Sequence, residues 1–189
     1  MPKHGLRTRM LALRRSIPIA EQLSAGKVIQ ETFLASAEYT AASSVALYVA
    51  THAEVPTGEI IREILGTGKT LLLPSVTDHG LSFRQISSEE DLCEGRFRIP
   101  EPGPNCISRD PAEIDLFVIP GVAFDHYGRR LGYGKGYYNR TIHLLEGTGR
   151  LFGFCYDFQL VSEIAGEPHD VIMDRVITER RVLTPVLLK

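Results

Sequence analysis

The sequence predicts an α/β protein: one domain spanning residues 1–189, built as a three-layer sandwich with a mainly parallel, mixed sheet flanked by helices. Three observations carry this prediction. Short, continuous apolar runs recur at residues 45–50, 70–74 and 115–120, as strands buried on both faces require. Stretches with apolar residues at helical spacing lie between them. The chain has 189 residues, 43% hydrophobic and 23% charged, enough for one sizeable core, and no shift in composition marks a linker.

Residues 3–15 carry Leu6, Met10, Leu11 and Leu13 among five basic residues, which predicts a helix with an exposed cationic face. Pro18 interrupts it. A second helix is expected over 20–36, with Leu23, Val28, Ile29 and Phe33 on one side. Val45-Ala-Leu-Tyr-Val-Ala50 reads as a buried strand. Pro56 then suits a first helical turn, and Ile60, Ile61, Ile64 and Leu65 supply the stripe of the helix that follows, closed by Gly66 and Gly68. Thr70-Leu-Leu-Leu-Pro74 is the next strand, and residues 81–86 alternate as a half-exposed one. Residues 87–114, with four prolines, read as a long loop with a helical turn near Glu89. Asp115-Leu-Phe-Val-Ile-Pro120 is the clearest strand. A glycine-rich segment, a helix over 136–145, a strand over 151–155 and short strands over 171–173, 176–178 and 182–188 complete the chain.

Several function classes drop out. Lys and Arg number 21 against 23 Asp and Glu, so no basic excess points to a nucleic-acid partner. No apolar run approaches the ~20 residues that span a bilayer, and no apolar stretch after the N-terminus reads as a secretory signal; a cytoplasmic monomer is expected. Cys93, Cys106 and Cys155 have no CxxC spacing, which argues against a disulfide framework or a structural zinc site. The six histidines show no paired spacing. Gly66-Thr-Gly-Lys-Thr70 resembles the end of a Walker A loop. However, Glu63 stands where the first glycine belongs, and the segment runs from helix to strand rather than the reverse, so it reads as a helix stop.

The densest chemical signal is residues 120–140. Gly132, Gly134 and Gly136 alternate with Tyr133 and Lys135, flanked by Arg129, Arg130 and Arg140. Glycines let backbone N–H groups approach an anion, and Lys135 and Arg130 neutralise phosphate oxygens. The strand–loop–helix context fits a polyphosphate cradle. Elsewhere the spacing is less telling. Lys3 and Arg7 share a helix face, but on spacing alone they form a solvated basic face. Glu54 stands beyond the carboxyl end of a strand, where open α/β sheets bind ligands, yet it also suits a helix N-terminus. Asp174 alone would be an ordinary surface charge. A sugar-phosphate isomerase or a CoA transferase would also use a glycine-rich anion loop, and a non-catalytic nucleotide-binding protein is a third reading.

Pro120-Gly-Val-Ala-Phe-Asp125 followed by Arg130-Leu-Gly-Tyr-Gly-Lys-Gly-Tyr-Tyr-Asn139 resembles the hallmark of the 5-formyltetrahydrofolate cyclo-ligase family. Lys3 and Arg7, Glu54 in Ala53-Glu-Val-Pro-Thr57, Ile99-Pro-Glu-Pro102 and Asp174 fall in the order the family shows. The resemblance implies conversion of 5-formyltetrahydrofolate to 5,10-methenyltetrahydrofolate, with ATP as co-substrate and Mg²⁺. It implies ATP contacts from Lys3, Arg7, Arg130, Leu131, Gly132, Tyr133, Gly134, Lys135, Gly136, Tyr137 and Tyr138. Val49, Glu54 and Phe97 would contact the folate, together with Tyr133, Gly134, Lys135, Gly136 and Tyr137. Lys135 and Arg130 would carry catalysis. Asp174 and position 139 would hold the metal; the family's Asp is here Asn139, which keeps an amide oxygen but lacks the charge.

Overall fold

The computed structural model describes residues 2–51, 53–134, 136–142, 149–167 and 171–185; the side chains of Phe97, Asn139 and Ile142 stand outside that description. The chain opens with α1 (Lys3–Ser16), followed by α2 (Ile19–Leu34) and the short α3 (Ala37–Ala41). Pro18 separates the first two, because it has no N–H to extend α1 while its fixed φ suits the start of α2. Then come β1 (Ser44–Ala46), α4 (Gly58–Thr67), β2 (Thr70–Thr77) and β3 (Gly80–Ile86). Short β4 (Leu92–Glu94), β5 (Pro100–Pro102) and β6 (Ser108–Arg109) lead to β7 (Leu116–Pro120), β8 (Ala123–Asp125) and β9 (Arg130–Leu131). The rest is α5 (Tyr137–Ile142), β10 (Arg150–Phe154), β11 (Leu160–Val161), β12 (Arg175–Ile177) and β13 (Val182–Leu183).

The main sheet has the order β13-β12-β10-β7-β1-β2-β3-β6. Its five inner neighbours from β12 to β2 are parallel, while β13, β3 and β6 add antiparallel edges. The predicted mixed, mainly parallel sheet is therefore what the chain forms. Period-two alternation sorts its residues into two cores. Leu71, Leu73, Leu116, Val118, Phe152 and Phe154 face α2, α3 and α4. Leu72, Phe117, Ile119 and Leu151 face the other side, with Phe124, Met173 and Val176. Phe33 of α2 anchors the first layer, its ring 5.3 Å from Tyr39 and Phe154 and 5.7 Å from Phe152. A second sheet, β11-β8-β9, is covered by Leu6 and Met10 of α1.

Four expectations need correction. Only the first part of residues 45–50 stays in the ladder: beyond Leu47 the Tyr48 carbonyl accepts from Thr57 Oγ1 (2.7 Å), and the chain peels away from the sheet. Pro56 precedes the helix rather than opening it, since α4 begins at Gly58. Residues 87–114 are more ordered than a loop. The β4–β5 hairpin is stapled to β2 by the buried Glu101 carboxylate, which accepts from Val76 N (3.0 Å), Ser75 Oγ (3.1 Å) and Arg96 N (2.9 Å). Residues 171–173 form no strand, because the Met173 N–H goes to the Gly128 carbonyl in a turn (2.9 Å). The expected ends at 143–145 and 186–188 lie outside the described residues. Gly68 closes α4 at φ 77, as a helix stop should.

The packing of Phe124 on β10 yields a test. A Cβ on Gly153 would stand 2.4 Å from Phe124 Cε1 in a filled core. Gly153→Ala should lower the unfolding free energy by about 2 kcal/mol, read from the urea midpoint at unchanged slope.

Candidate active site

Counting only the parallel strands, the order is β2-β1-β7-β10-β12, so the connections leave β1 and β7 toward opposite sides of the sheet. Such a switch point opens a crevice at the carboxyl ends of the two strands. A cavity of about 340 Å³ occupies it. The turn after β1 supplies Val49, Thr51 and Glu54, and the end of β2 supplies Pro74 and Val76. Ile99 and Pro100 form a rim, Lys3 and Arg7 enter from α1, and the segment from Arg130 to Tyr138 forms the facing wall.

Glu54 is the best-defined group. The Glu54 N–H donates to the Thr51 carbonyl (2.9 Å), closing a tight turn in which Ala53 holds φ 61, a left-handed value that costs a residue with a Cβ. Thr51 N donates to Glu54 Oε2 (2.8 Å), and Tyr133 Oη donates to Oε1 (2.6 Å). Behind Tyr133 lies Arg14, only 1% exposed, whose Nη2 donates to the same hydroxyl and whose guanidinium stands 5.4 Å over the Tyr133 ring. Burial, and then the nearby Glu54 charge, raises the Tyr133 hydroxyl well above its ordinary pKa. Burial likewise raises Tyr138 and Tyr48, and Tyr156 is pushed up to about 12. Each of these four hydroxyls is neutral at physiological pH and can donate.

The facing wall is built on a short hairpin. Asp125, fully buried, accepts from the N–H groups of Tyr127 and Arg129 at Oδ1 (2.9 Å each) and of Ile164 at Oδ2 (2.8 Å). That carboxylate closes the β8–β9 turn and sets where Arg130 emerges. Arg130 Nη1 donates to the Pro120 carbonyl (3.1 Å), and its guanidinium stands 5.6 Å over the Tyr138 ring. Arg7 Nε donates to the Gly132 carbonyl (2.8 Å), tying α1 to the glycine segment. Gly134 and Gly136 take φ 93 and 76, values that residues with a Cβ rarely hold. Lys3 Nζ contacts Glu167 Oε1 at 2.7 Å on the rim. Cationic side chains and a glycine backbone thus face a carboxylate across one crevice.

One cleft gathers Lys3, Arg7, Val49, Glu54, Arg130, Leu131, Gly132, Tyr133, Gly134, Gly136, Tyr137 and Tyr138. Lys135 and the side chains of Phe97 and Asn139 lie outside the described residues. Asp174 is not brought to the cleft, a correction to its expected metal role. It stands at the opposite, amino-terminal end of the parallel strands, beside the start of β10, where Oδ1 accepts from Arg150 Nη1 and Oδ2 from Leu151 N (2.8 Å each). Among the described residues no group of three or more His, Cys, Asp or Glu side chains could hold a metal ion. The carboxylates lining the cleft are Glu54, Glu101 and Glu167, and each already has partners. These residues do not fit a protein-only magnesium cage. The sequence reading also missed Arg14, treated as part of an exposed face. Its signal was the four-residue step Leu6–Met10–Arg14 along the stripe that α1 buries.

Fold and cleft together define a doubly wound α/β protein with a glycine segment among cationic side chains set against a carboxylate at its switch point. The chain belongs to the 5-formyltetrahydrofolate cyclo-ligase family, whose profile matches residues 1–179. A 5-formyltetrahydrofolate cyclo-ligase of Mycolicibacterium smegmatis is 29% identical over 185 residues, covering 95% of this chain and 94% of its own length. The NMR structure of Aquifex aeolicus 5,10-methenyltetrahydrofolate synthetase superposes with a TM-score of 0.87 at 32% identity, over 97% of this chain and 93% of that one. A 5,10-methenyltetrahydrofolate synthetase from Mycoplasma pneumoniae, 24% identical over 95% of this chain and 99% of its own, shares the fold at a TM-score of 0.77. Among the described residues no helix is long and apolar enough to cross a membrane.

The tyrosine cluster makes stability depend on alkaline pH. In the unfolded chain tyrosines lose their protons near pH ~10, whereas the folded protein retains them longer. Their contribution is complete below pH ~10 and is lost as pH rises through the folded values, about 12 for Tyr156 and higher for the others. Urea midpoints should hold up to about pH 10 and fall between about pH 10 and 12, and Tyr133→Phe should flatten the fall.

Proposed function

We propose that this chain converts 5-formyltetrahydrofolate to 5,10-methenyltetrahydrofolate with ATP as co-substrate, releasing ADP and phosphate. The observation that carries the reading is the meeting of Glu54 with the cationic glycine segment across a single crevice. One wall suits the N–H groups of a reduced pterin, and the other suits a triphosphate.

The chemistry explains why both are needed. A formamide carbonyl is unreactive because its nitrogen donates into it. The formyl oxygen attacks the γ-phosphorus of ATP and ADP leaves. N10 of the folate then attacks the activated formyl carbon and loses its proton. Phosphate departs with the former formyl oxygen, closing the five-membered ring. No enzyme nucleophile enters, so the protein works by positioning and charge stabilisation. Lys3, Arg7, Arg130 and Lys135, with the backbone amides of residues 132–136, hold the triphosphate. Glu54 accepts hydrogen bonds from the pterin, with Val49, Ile99 and Phe97 as apolar walls. Magnesium would come with the ATP, where it would offset phosphate charge, and Asn139 is the remaining residue that the family resemblance assigns to it. The protein is taken to act as a cytoplasmic monomer.

Purified protein mixed with 5-formyltetrahydrofolate, ATP and magnesium should generate the absorbance of the methenyl product, and omitting ATP should abolish it. Lys135→Ala should lose at least about ten-fold in turnover; near wild-type kinetics in that variant would remove Lys135 from the mechanism. Glu54→Gln keeps the shape of the site but loses the charge, and should raise KM for the folate by about ten-fold while leaving KM for ATP near wild type.

A further inference from the structure

We propose that Arg14 is a positioning residue for the folate side of the cleft: acting through the Tyr133 hydroxyl, it fixes the carboxylate of Glu54 for its ligand. The inference rests on the reading of Glu54 as the folate-binding carboxylate.

The proton order along this relay has one solution. Arginine has only donors and stays protonated, so Tyr133 Oη must accept from Arg14 Nη2. The single phenolic proton is then committed to Glu54 Oε1, 2.6 Å away. The other carboxylate oxygen, Oε2, takes the Thr51 N–H. Both oxygens are thereby held from the protein side, and Glu54 still lines the cleft.

Arg14 itself is costly to bury. It is 1% exposed, its Nε has no partner, and its Nη1 reaches only the Gly121 carbonyl, at 3.5 Å. Among the described residues no carboxylate contacts its guanidinium. Its link to negative charge runs through Tyr133 to Glu54. A side chain needed only to fill space would be apolar, since an incompletely partnered buried guanidinium is destabilising. Its position adds a second point. Leu6, Met10 and Arg14 are the buried residues of α1, and Lys3 and Arg7 of the same helix line the triphosphate side. One rigid helix therefore reaches both halves of the site.

The test is calorimetric binding of 5-formyltetrahydrofolate without nucleotide, paired with KM for ATP. Arg14→Met and Tyr133→Phe should each weaken folate binding roughly ten-fold, the loss typical of one charge-assisted hydrogen bond. Arg14→Lys should fall between Arg14→Met and wild type. The double variant Arg14→Met/Tyr133→Phe should bind no more weakly than the worse single one, because both break the same relay. KM for ATP in Arg14→Met should stay within about two-fold of wild type. Wild-type folate affinity in Arg14→Met overturns the proposal, as do multiplying effects in the double variant or equal losses for folate and ATP. Should Arg14→Met fail to fold, Tyr133→Phe decides, since it removes one oxygen and keeps the ring; unchanged folate affinity there is equally fatal. If wild-type protein itself does not bind the folate, the reading of Glu54 fails and takes the relay with it. Normal wild-type binding with unaffected variants removes the relay alone.

Discussion

At the carboxyl ends of β1 and β7 two hydrogen-bonded neighbours send the chain away in opposite directions, and everything functional in this protein is arranged around the gap they leave. Strands within a parallel sheet are covered by helices on both faces, so a ligand can reach the backbone only at such an edge. The two loops that diverge there carry different chemistry. The turn after β1 is tight and holds a carboxylate. The excursion after β7 runs through a closed hairpin and returns as a glycine segment among cations. The sheet thus places opposite charges on facing walls without asking either loop to cross the core.

Keeping those walls in place is the work of buried charges whose partners are all protein. Asp125 takes three N–H groups and so acts as the hairpin's internal brace; a carboxylate buried without such donors would cost several kcal/mol. Glu101 plays the same part for the rim, pinning the β4–β5 hairpin to β2. The helix α1 braces the glycine wall twice, with Arg7 on the Gly132 carbonyl and Arg14 on Tyr133, whose hydroxyl reaches Glu54 on the other wall. In a low-dielectric interior each of these contacts is stronger than at the surface, and a missing partner is correspondingly more damaging. The result is a crevice whose walls are preorganised, as suits a reaction that needs alignment of two substrates rather than an enzyme nucleophile.

The elements legible in the sequence were those with long, regular periodicity. The apolar runs at β1, β2, β7 and β10 and the helical stripes of α1, α2 and α4 identified both the class and the mixed sheet. The glycine segment was legible in the same way, from its alternation of Gly with Tyr and Lys and its flanking arginines, and the structure sets it on the cleft wall. What stayed hidden was irregular or non-local. The two-residue strands β6, β9 and β11 carry no periodicity to detect. Nothing in the local sequence shows that Glu101 would be buried against Ser75 and Val76 of β2, or that Asp125 would take the Ile164 N–H from a distant loop.

The residues themselves determined that two faces of a sheet would be buried, that a glycine-rich, cationic segment would follow the strand ending at Pro120, and which family pattern the chain carries, because these properties follow from side-chain types at close sequence spacing. Only the tertiary structure decided that Arg14 is inside rather than on a basic surface, that it meets Glu54 through Tyr133, and that Asp174 sits at the end of the strands away from the cleft. Residues 14, 54 and 133 are separated by tens of positions, and the contact between them exists only once β1 and β7 lie side by side and α1 closes over the second sheet. No local pattern encodes such a meeting, since its energy comes from burial and pairing created by the whole fold.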